Sequence, residues 1–366
     1  MLKKISVFAV FAVGALVLSG CAANEDTPAQ TQNPDSTAAA MLEGTLNGSG
    51  ASSMAAGMNA WIAAFQIENP GVTVNYDPTG SGTGRAQFQS GATFFTGSDS
   101  YFKEEELAGE FPSCEPGTVA WEFPVWISPI AVIFNLDGIS NLNLDGATVA
   151  GIFSGQITMW NDQAIQASNP GVSLPELAIT AVHRSDESGT SKNFTDYLFA
   201  VAPDVWSVGA IEAWPSEFGG EGAQGTSGVV SAVSGGNGTI GYADASRAGE
   251  LGIVAIKVGD EFVGYSAEAA AAVVDASPLV EGRADYDLAV KIDRNTTAAG
   301  VYPIVLVSYL MGCNDYVDND MAILAKAWAT FLISEEGQNK AAASAGNAPI
   351  SQSLRERAQA IVDLIK

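Results

Sequence analysis

Histidine, cysteine and positive charge are scarce in this chain, and each scarcity excludes a class of function. The 366 residues include one histidine, His183, so a single imidazole is available for general-base or metal chemistry. Lys and Arg number 16 against 41 Asp and Glu, which gives a formal net charge of −25. Such a charge excludes nucleic acid as a partner, because a surface that binds nucleic acid must neutralise phosphates.

The sequence also lacks the motifs of common hydrolases and nucleotide-binding proteins. It contains no G-x-S-x-G nucleophile elbow and no G-x-x-x-x-G-K-[ST] phosphate loop, and the run 80–84 misses the dinucleotide-binding spacing. Any Ser-His-Asp arrangement would need His183, and its neighbour Arg184 opposes formation of an imidazolium. One histidine and two bridged cysteines would leave only carboxylates for a metal. We therefore expect no enzyme activity, no metal and no cofactor.

The N-terminal apolar run is too short to cross a membrane. It covers residues 5–18 behind two lysines and ends in Leu-Ser-Gly before Cys21. This pattern predicts a lipoprotein signal peptide over 1–20, cleaved so that Cys21 becomes the lipidated terminus, with acyl chains such as palmitate. A plain secretion signal is the alternative. Residues 21–43 have little to bury and predict a flexible tether, so the protein is expected to be exported and lipid-anchored at the outer face of the cell membrane.

Two cysteines remain once Cys21 is lipidated. They are Cys114 and Cys313, and an exported chain lies where disulfides persist. We predict that they form a disulfide. Two separately buried thiols are the alternative.

Strand and helix patterns alternate along the body of the chain. Met58, Trp61, Ile62 and Phe65 have helical spacing, and residues 72–76 alternate as a strand. Continued alternation with Gly-rich turns predicts an α/β fold with mainly parallel sheets flanked by helices. The body, roughly 320 residues, exceeds the usual size of one compact core, so we expect two domains.

Two apolar segments are expected to connect these domains. Residues 119–135 predict extended chain buried on both faces. That stretch is too long for one strand, and Pro124 and Pro129 interrupt it, so we predict a crossing between domains there. Residues 302–310 predict the strand that returns to the first domain.

Three strand-to-helix turns consist of small polar residues: Ser52-Ser53, Gly80-Ser81-Gly82 and Ser188-Gly189-Thr190. In open α/β sheets such turns gather at the carboxyl ends of the strands, where ligands bind. The first turn of a helix leaves N–H groups free for an anion, and Arg184 adds a planar pair of donors. An ordinary capped turn is the alternative for each loop, because Gly and Ser are common there.

Asp99 limits which anion such loops would accept. A carboxylate repels a fully ionised oxyanion, but it accepts a hydrogen bond from the proton that phosphate retains near neutral pH. Sulfate has no such proton, so the carboxylate would reject it. The alternative for Asp99 is a helix or turn cap.

Taken in order, these loops resemble the substrate-binding protein of the bacterial phosphate-specific ABC transporter. The resemblance runs from about Gly44 to the C-terminal helices. It rests on the segments 48–52, 80–82, 97–99 and 183–190, with further matches at 160–162 and 169–171. It implies a two-lobed, type II-like periplasmic binding protein with two crossing strands as hinge. Lobe 1 would cover 44–128 plus 298–366, and lobe 2 would cover 129–297.

The resemblance also implies a function and a ligand set. A monomer would bind one dehydrated phosphate by lobe closure and deliver it to the permease subunits of an ABC transporter. The residues carried over by position as phosphate ligands are Ser52, Ser53, Ser81, Asp99, Arg184, Ser188, Gly189 and Thr190. Asp186 is expected to hold Arg184, while Glu187 replaces a glycine common in the family. The alternatives are another tetrahedral oxyanion, such as sulfate, or a cell-surface phosphohydrolase.

Overall fold

The computed structural model describes residues 41–366. The predicted signal peptide, the lipidation site at Cys21 and most of the predicted tether lie outside the described residues. None of the helices in the described part combines the length and the apolar character that a membrane span requires.

The secondary structure alternates much as the sequence predicts. The strands are β1 (Glu43–Gly50), β2 (Gly71–Asp77), β3 (Phe95–Ser98), β4 (Ala120–Asn135), β5 (Asn141–Leu144), β6 (Thr180–Arg184), β7 (Glu221–Ala223), β8 (Thr239–Asp244), β9 (Gly252–Val258), β10 (Glu261–Val263) and β11 (Val305–Cys313). The helices are α1 (Ala55–Glu68), α2 (Ser81–Gln89), α3 (Glu104–Leu107), α4 (Gly146–Phe153), α5 (Gln163–Ser168), α6 (Gly189–Val201), α7 (Gly225–Gly235), α8 (Ala267–Ala276), α9 (Asn319–Ile333), α10 (Glu335–Ala345) and α11 (Gln352–Asp363). The short strands β5, β7 and β10 are additions that the sequence patterns did not predict.

The strands form one sheet whose two ends are built differently from its middle. The strand order is β2-β1-β3-β11-β4-β8-β6-β7. Strand β9 pairs with β4 outside this order, and it also pairs with β5 and β10. Strand β1 pairs in parallel with β2 and β3, and β6 pairs in parallel with β7 and β8. The long middle strands β4 and β11 are antiparallel to all their neighbours. The α/β class is confirmed, but the sheet is mixed rather than mainly parallel, because these connecting strands run between its ends.

Residues 119–135 were expected to be too long for one strand, but the structure has one continuous strand there, β4, so that expectation was wrong. Pro124 pairs with Tyr309 where the register of β4 and β11 shifts, so it occupies a bulge. Pro129 lies at the point where β4 changes partner, because its residues pair with β11 up to 129 and with β8 from 130. Proline cannot donate to a ladder, but both prolines stand where the ladder is already interrupted. The strand therefore continues through them.

Strand β4 also passes from one hydrophobic cluster to another. Its residues from Trp121 to Ile127 pack in a cluster with α1 and the C-terminal helices. Ile130, Val132 and Phe134 pack in a second cluster with α4 and α6. Residues of α8 and the segment after it, among them Val273 and Leu288, belong to the first cluster although they lie within 129–297. The lobe boundaries remain a prediction.

Cys114 and Cys313 are bonded, as the sequence predicts. Their Cα atoms lie 5.2 Å apart although 199 positions separate them in the chain. The bond joins the loop before β4 to the end of β11, and both cysteines are buried. It therefore ties the loop before β4 to the end of β11 within the first cluster, to which both cysteines belong.

Candidate functional site

Three small polar loops, which follow β1, β2 and β3, lie beside one another. Gly50 pairs with Gly97, and the loop after β1 continues the ladder through a hydrogen bond from Ala51 N–H to the Gly97 carbonyl (2.8 Å). The N–H of Gly80 donates to the Gly50 carbonyl (2.8 Å). Glycine is required at Gly50, because its φ is 145° and a Cβ there would lie 1.9 Å from the Gly97 oxygen. We call residues 50–53, 80–82 and 98–100 the first loop group.

The second loop group consists of residues 184–190 and 225–226, at the N-termini of α6 and α7. Ser188 caps α6 by accepting from the Ser191 N–H (3.2 Å). Arg184 donates from Nε to an Asp186 oxygen at 2.7 Å, and a second guanidinium nitrogen completes a forked ion pair. Asp186 also accepts from the Gly225 N–H (3.0 Å). Asp186 thus contacts both Arg184 and the start of α7.

The ion pair determines the charge of Asp186. Burial by itself would raise the pKa of this carboxyl. The hydrogen bonds and the charge of Arg184, with the Gly225 N–H, outweigh burial and hold the pKa of Asp186 below its usual range. Both groups are therefore ionised at neutral pH, and the Arg184 guanidinium is held in one orientation.

Asp99 is the point where the two loop groups meet. Its carboxylate is buried and accepts hydrogen bonds from Ser53 Oγ (2.7 and 2.8 Å to the two oxygens) and Thr190 Oγ1 (2.8 Å). A third hydroxyl, Ser308 Oγ on β11, donates at 2.7 Å. The Asp99 backbone N–H donates to Ser81 Oγ (3.1 Å). The carboxylate thus accepts from hydroxyl groups of three separate segments, and a fourth segment, through Ser81, bonds the Asp99 backbone.

Opposing effects act on the ionisation of Asp99. Burial raises the pKa of this carboxyl above its ordinary value. The donated hydrogen bonds of Ser308, Ser53 and Thr190, and the charge of Arg184, act in the opposite direction and offset part of this increase. The hydroxyls therefore support the charged form of a carboxylate that the protein has removed from water.

Close packing leaves room for only the smallest side chain where α6 begins. A Cβ at Gly189 would lie 2.6 Å from Ser81 Oγ and 2.7 Å from the Cβ of Asp99. Elsewhere between the groups, Ser52 Oγ lies 3.1 Å from Thr226 Oγ1 and accepts from the Thr226 N–H at 3.1 Å. The two loop groups are therefore in direct contact at Asp99 and again between Ser52 and Thr226.

The predicted site residues divide into three sets in the structure. Ser53, Ser81, Gly189 and Thr190 contact Asp99, and Ser52 contacts α7 instead. The remaining two, Arg184 and Ser188, make no hydrogen bond to Asp99; they hold Asp186 and cap α6.

Sequence reasoning missed Thr226 and Ser308. Gly225-Thr226 is a further small polar turn between a strand and a helix, so the signal that identified the other turns was present there too. Ser308 is a lone hydroxyl within an otherwise apolar strand run, which is a weaker signal.

An ion-pair cluster beside the loops was also missed. Arg85 on α2 is fully buried and donates to both oxygens of Glu212 at 2.9 Å, as well as to Glu106. Burial by itself would raise the pKa of Glu212, but the charge and hydrogen bonds of Arg85, with the charges of Lys192 and Lys103, together outweigh burial and lower it to about 2. The Glu212 backbone carbonyl accepts from the Ser188 N–H (3.1 Å). The cluster therefore connects α2, which begins in the first loop group, to Ser188, the cap of α6 in the second loop group.

A cavity of about 540 Å³ reaches Asp99 from one side. Lys192 and Arg294 contribute cationic groups to its lining. Lys192 Nζ donates to Ser100 Oγ at 2.7 Å, and it lies 4.8 Å from the centre of the Tyr101 ring. Asp99 and these two cationic side chains therefore line the same cavity.

The one histidine of the chain lies apart from the hydroxyls of the loop groups. His183 stacks on Trp214 with ring centres 4.7 Å apart, and its Nδ1 lies 2.9 Å from the Arg184 carbonyl, so it pairs with no serine or threonine hydroxyl. Burial lowers the pKa of His183. Within residues 41–366 no cluster of His, Cys, Asp and Glu side chains is suited to holding a metal ion. The loop groups supply hydroxyls, helix N-termini, the Arg184 guanidinium and the buried Asp99 carboxylate, which suit a small oxyanion that carries a proton.

Sequence relatives agree with this chemistry. A family model described as the PBP superfamily domain matches residues 24–336. Phosphate-binding protein PstS 3 of Mycobacterium leprae is 35% identical over 355 residues, which is 95% of each chain. Phosphate-binding protein PstS 3 of Mycobacterium tuberculosis strain H37Rv is 35% identical over 367 residues, 97% of each chain.

Solved structures show the same fold. A high-affinity periplasmic phosphate-binding protein bound with phosphate (PfluDING) aligns with a TM-score of 0.67 at 20% identity, covering 87% of this chain and 93% of the other. A putative phosphate ABC transporter substrate-binding protein with bound phosphate, from Clostridium perfringens, aligns with a TM-score of 0.60 at 18% identity, covering 84% and 100%.

Proposed function

This chain belongs to the PBP superfamily and, within it, to the phosphate-binding PstS proteins, and we propose that it binds inorganic phosphate and delivers it to a membrane ABC transporter for import. The observation that carries the proposal is the buried carboxylate of Asp99 at the contact between two groups of anion-binding loops. A carboxylate at the centre of the site would repel a fully ionised anion. It would accept a hydrogen bond from the proton of hydrogen phosphate.

The hydrogen-bond capacity of Asp99 supports phosphate over sulfate. A carboxylate offers about four acceptor positions. The hydroxyls of Ser53, Thr190 and Ser308 use three of them. The fourth is available for the proton of hydrogen phosphate, and sulfate would leave that position unpaired while repelling the charge.

The positive counterpart of the site comes from helix N-termini and Arg184. The first turns of α2, α6 and α7 all begin within the loop groups, and the peptide dipoles at these helix N-termini favour negative charge. Arg184, oriented by Asp186, supplies a forked donor. The overall charge of −25 does not oppose this arrangement, because charges beyond about 10 Å are screened at physiological salt. The ligands we propose are those predicted from the sequence: Ser52, Ser53, Ser81, Asp99, Arg184, Ser188, Gly189 and Thr190.

Capture by lobe closure follows from the placement of these ligands on two loop groups. The two lobes would separate to admit phosphate and close on it, and the closed form would engage the permease. The protein would act as a monomer without a covalent step. A lipid on Cys21 would keep it beside its transporter, with residues 22–43 as the tether.

Titration calorimetry with phosphate and with sulfate tests the proposal. The wild-type protein is expected to bind phosphate and to bind sulfate at least about 100-fold more weakly, since sulfate faces repulsion and an unpaired acceptor. Asp99→Asn removes the repelling charge and is expected to narrow this difference. Equal affinity of the wild type for the two anions would refute the phosphate assignment. A thermal melt of the variant serves as the folding control.

A further inference from the structure

The hydroxyl of Ser308 on β11 contacts the Asp99 carboxylate, although Ser308 belongs to neither loop group. Ser308 is fully buried on β11, among the apolar residues of that strand. A buried hydroxyl needs a partner, and Ser308 Oγ donates to Oδ1 of Asp99 at 2.7 Å. Ser308 therefore acts on Asp99 from the strand that connects the ends of the sheet.

Strand register explains why this serine meets Asp99. In the antiparallel pairing of β11 with β3, Tyr309 lies opposite Ser98, which places Ser308 opposite Asp99, one residue beyond the end of β3. The register of β11 against β4 shifts between Ser308 and Tyr309, at the bulge that contains Pro124. Bulges re-aim side chains next to functional sites. The irregularity thus lies at the one position of β11 whose side chain contacts the carboxylate.

The hydrogen-bond donors to the two carboxylate oxygens of Asp99 differ, and Ser308 serves only one of these oxygens. Ser53 Oγ lies 2.7 Å from Oδ1 and 2.8 Å from Oδ2, but its single hydrogen can serve only one of them at a time. Thr190 donates to Oδ2 at 2.8 Å. Ser308 is thus the donor dedicated to Oδ1, as Thr190 is to Oδ2.

We propose that Ser308 is a positioning residue, which holds Asp99 charged and correctly oriented so that one acceptor position faces the proton of the bound anion. The inference rests on the proposed function and deepens it. Ser308 does not itself touch the ligand. Its effect passes through Asp99, and it extends the anion site to the crossing strand β11.

Loss of the Ser308 hydroxyl should change the pH dependence of phosphate binding in one direction. Burial raises the pKa of Asp99 and the Ser308 hydrogen bond lowers it, so removing the hydroxyl raises the pKa further. The other ionisable groups that act on Asp99 or respond to its charge are Arg184 of β6, Tyr76 of β2 and Asp244 of β8. Lys192 of α6 and Arg294 line the cavity that reaches Asp99. A substitution at 308 replaces none of these groups. Because protonated Asp99 can no longer accept the ligand's proton, binding should weaken at a higher pH in the variant.

The test is the phosphate affinity of Ser308→Ala between pH 5 and 8.5. We expect binding to weaken about tenfold at neutral pH, as for loss of one hydrogen bond to a charged group. We expect the fall in affinity on the acid side to move up by about one pH unit relative to the wild type. The ionisation of phosphate itself is common to both proteins and cancels in this comparison.

Two further variants separate positioning from packing. Ser308→Thr restores a hydroxyl and should recover the wild-type pH profile. Ser49→Ala removes another buried serine hydroxyl of the same sheet, one that has no hydrogen-bond partner, and should leave the pH profile unchanged. If Ser308→Ala does not fold, as judged by its thermal melt, Ser308→Cys provides a near-isosteric weak donor and is expected to show the same upward shift.

A wild-type pH profile in Ser308→Ala, or in Ser308→Cys where alanine does not fold, would overturn the inference. So would an equal shift in Ser49→Ala, because the effect would then follow from any loss of a buried hydroxyl. Failure of the wild-type protein to bind phosphate at all would instead refute the proposed function. The two failures are therefore distinguishable.

Discussion

Replacing Gly189 with alanine tests how tightly the two loop groups pack, because a methyl group at this position has no room. Its Cβ would lie 2.6 Å from Ser81 Oγ, 2.7 Å from the Cβ of Asp99 and 2.9 Å from the Asp99 carbonyl carbon. Non-bonded carbon atoms ordinarily approach to about 3.5 Å. The backbone atom of Asp99 cannot rotate away, so the start of α6 and the loop after β3 must separate.

The separation is large enough to break a hydrogen bond. Relieving the contact with the Cβ of Asp99 requires a shift of roughly 0.8 Å. Applied to the Thr190–Asp99 hydrogen bond, now 2.8 Å, that shift gives a distance of roughly 3.6 Å, which is no longer a hydrogen bond. Loss of a hydrogen bond to a charged group corresponds to about 1.5–3 kcal/mol, or about 10- to 150-fold in Kd. We therefore expect Gly189→Ala to weaken phosphate binding by that factor.

Calorimetric titration with phosphate measures the effect, and Gly228→Ala on α7 is the matched control. Its Cβ would meet Ala223 atoms at 3.5 Å or more, an ordinary contact. Alanine favours a helix over glycine by about 1 kcal/mol, so this control should melt slightly higher and bind phosphate as the wild type does. An unchanged Kd in Gly189→Ala, with Gly228→Ala also unchanged, would show that phosphate binding does not depend on the contact between α6 and Asp99.

Three further outcomes are expected. Arg184→Lys keeps the charge but loses the forked pair with Asp186, so phosphate affinity should fall at least about tenfold; retained affinity would contradict the role of the guanidinium. Burial raises the pKa of Asp244 to about 6, above its unfolded value, so this residue lowers stability as pH rises through about 4 to 6. Asp244→Asn should therefore stabilise the fold above pH 6 and have no such effect near pH 4, as unfolding at the two pH values would show. Replacing both Cys114 and Cys313 with serine should cost about 2–5 kcal/mol of unfolding free energy; an unchanged melt would refute a stabilising bond.

Local chemistry explains which features could be predicted from the sequence. A serine or glycine turn between a strand and a helix depends on a few neighbouring residues, since caps and positive φ angles act over short spans. The loops at 52–53, 80–82 and 188–190 were therefore predictable, as was the α/β class from alternating periodicities. The pairing of Cys114 with Cys313 needed only the small number of cysteines and an exported chain.

Contacts between distant segments explain what could not be predicted. Proline was expected to break β4, but a bulge and a change of partner accommodate Pro124 and Pro129, and neither can be read from one strand alone. The pairing of Arg85 with Glu212 joins residues 127 positions apart, and no local pattern relates them.

The amino-acid sequence by itself determined the local elements of the site: small turns, capped helix N-termini, one arginine and one carboxylate. The tertiary structure alone decided that Asp99 lies between the two loop groups with Ser308 opposite it. The physical reason is that hydrogen bonds at 2.7–2.8 Å require a strand register and a packing geometry that hundreds of residues set together.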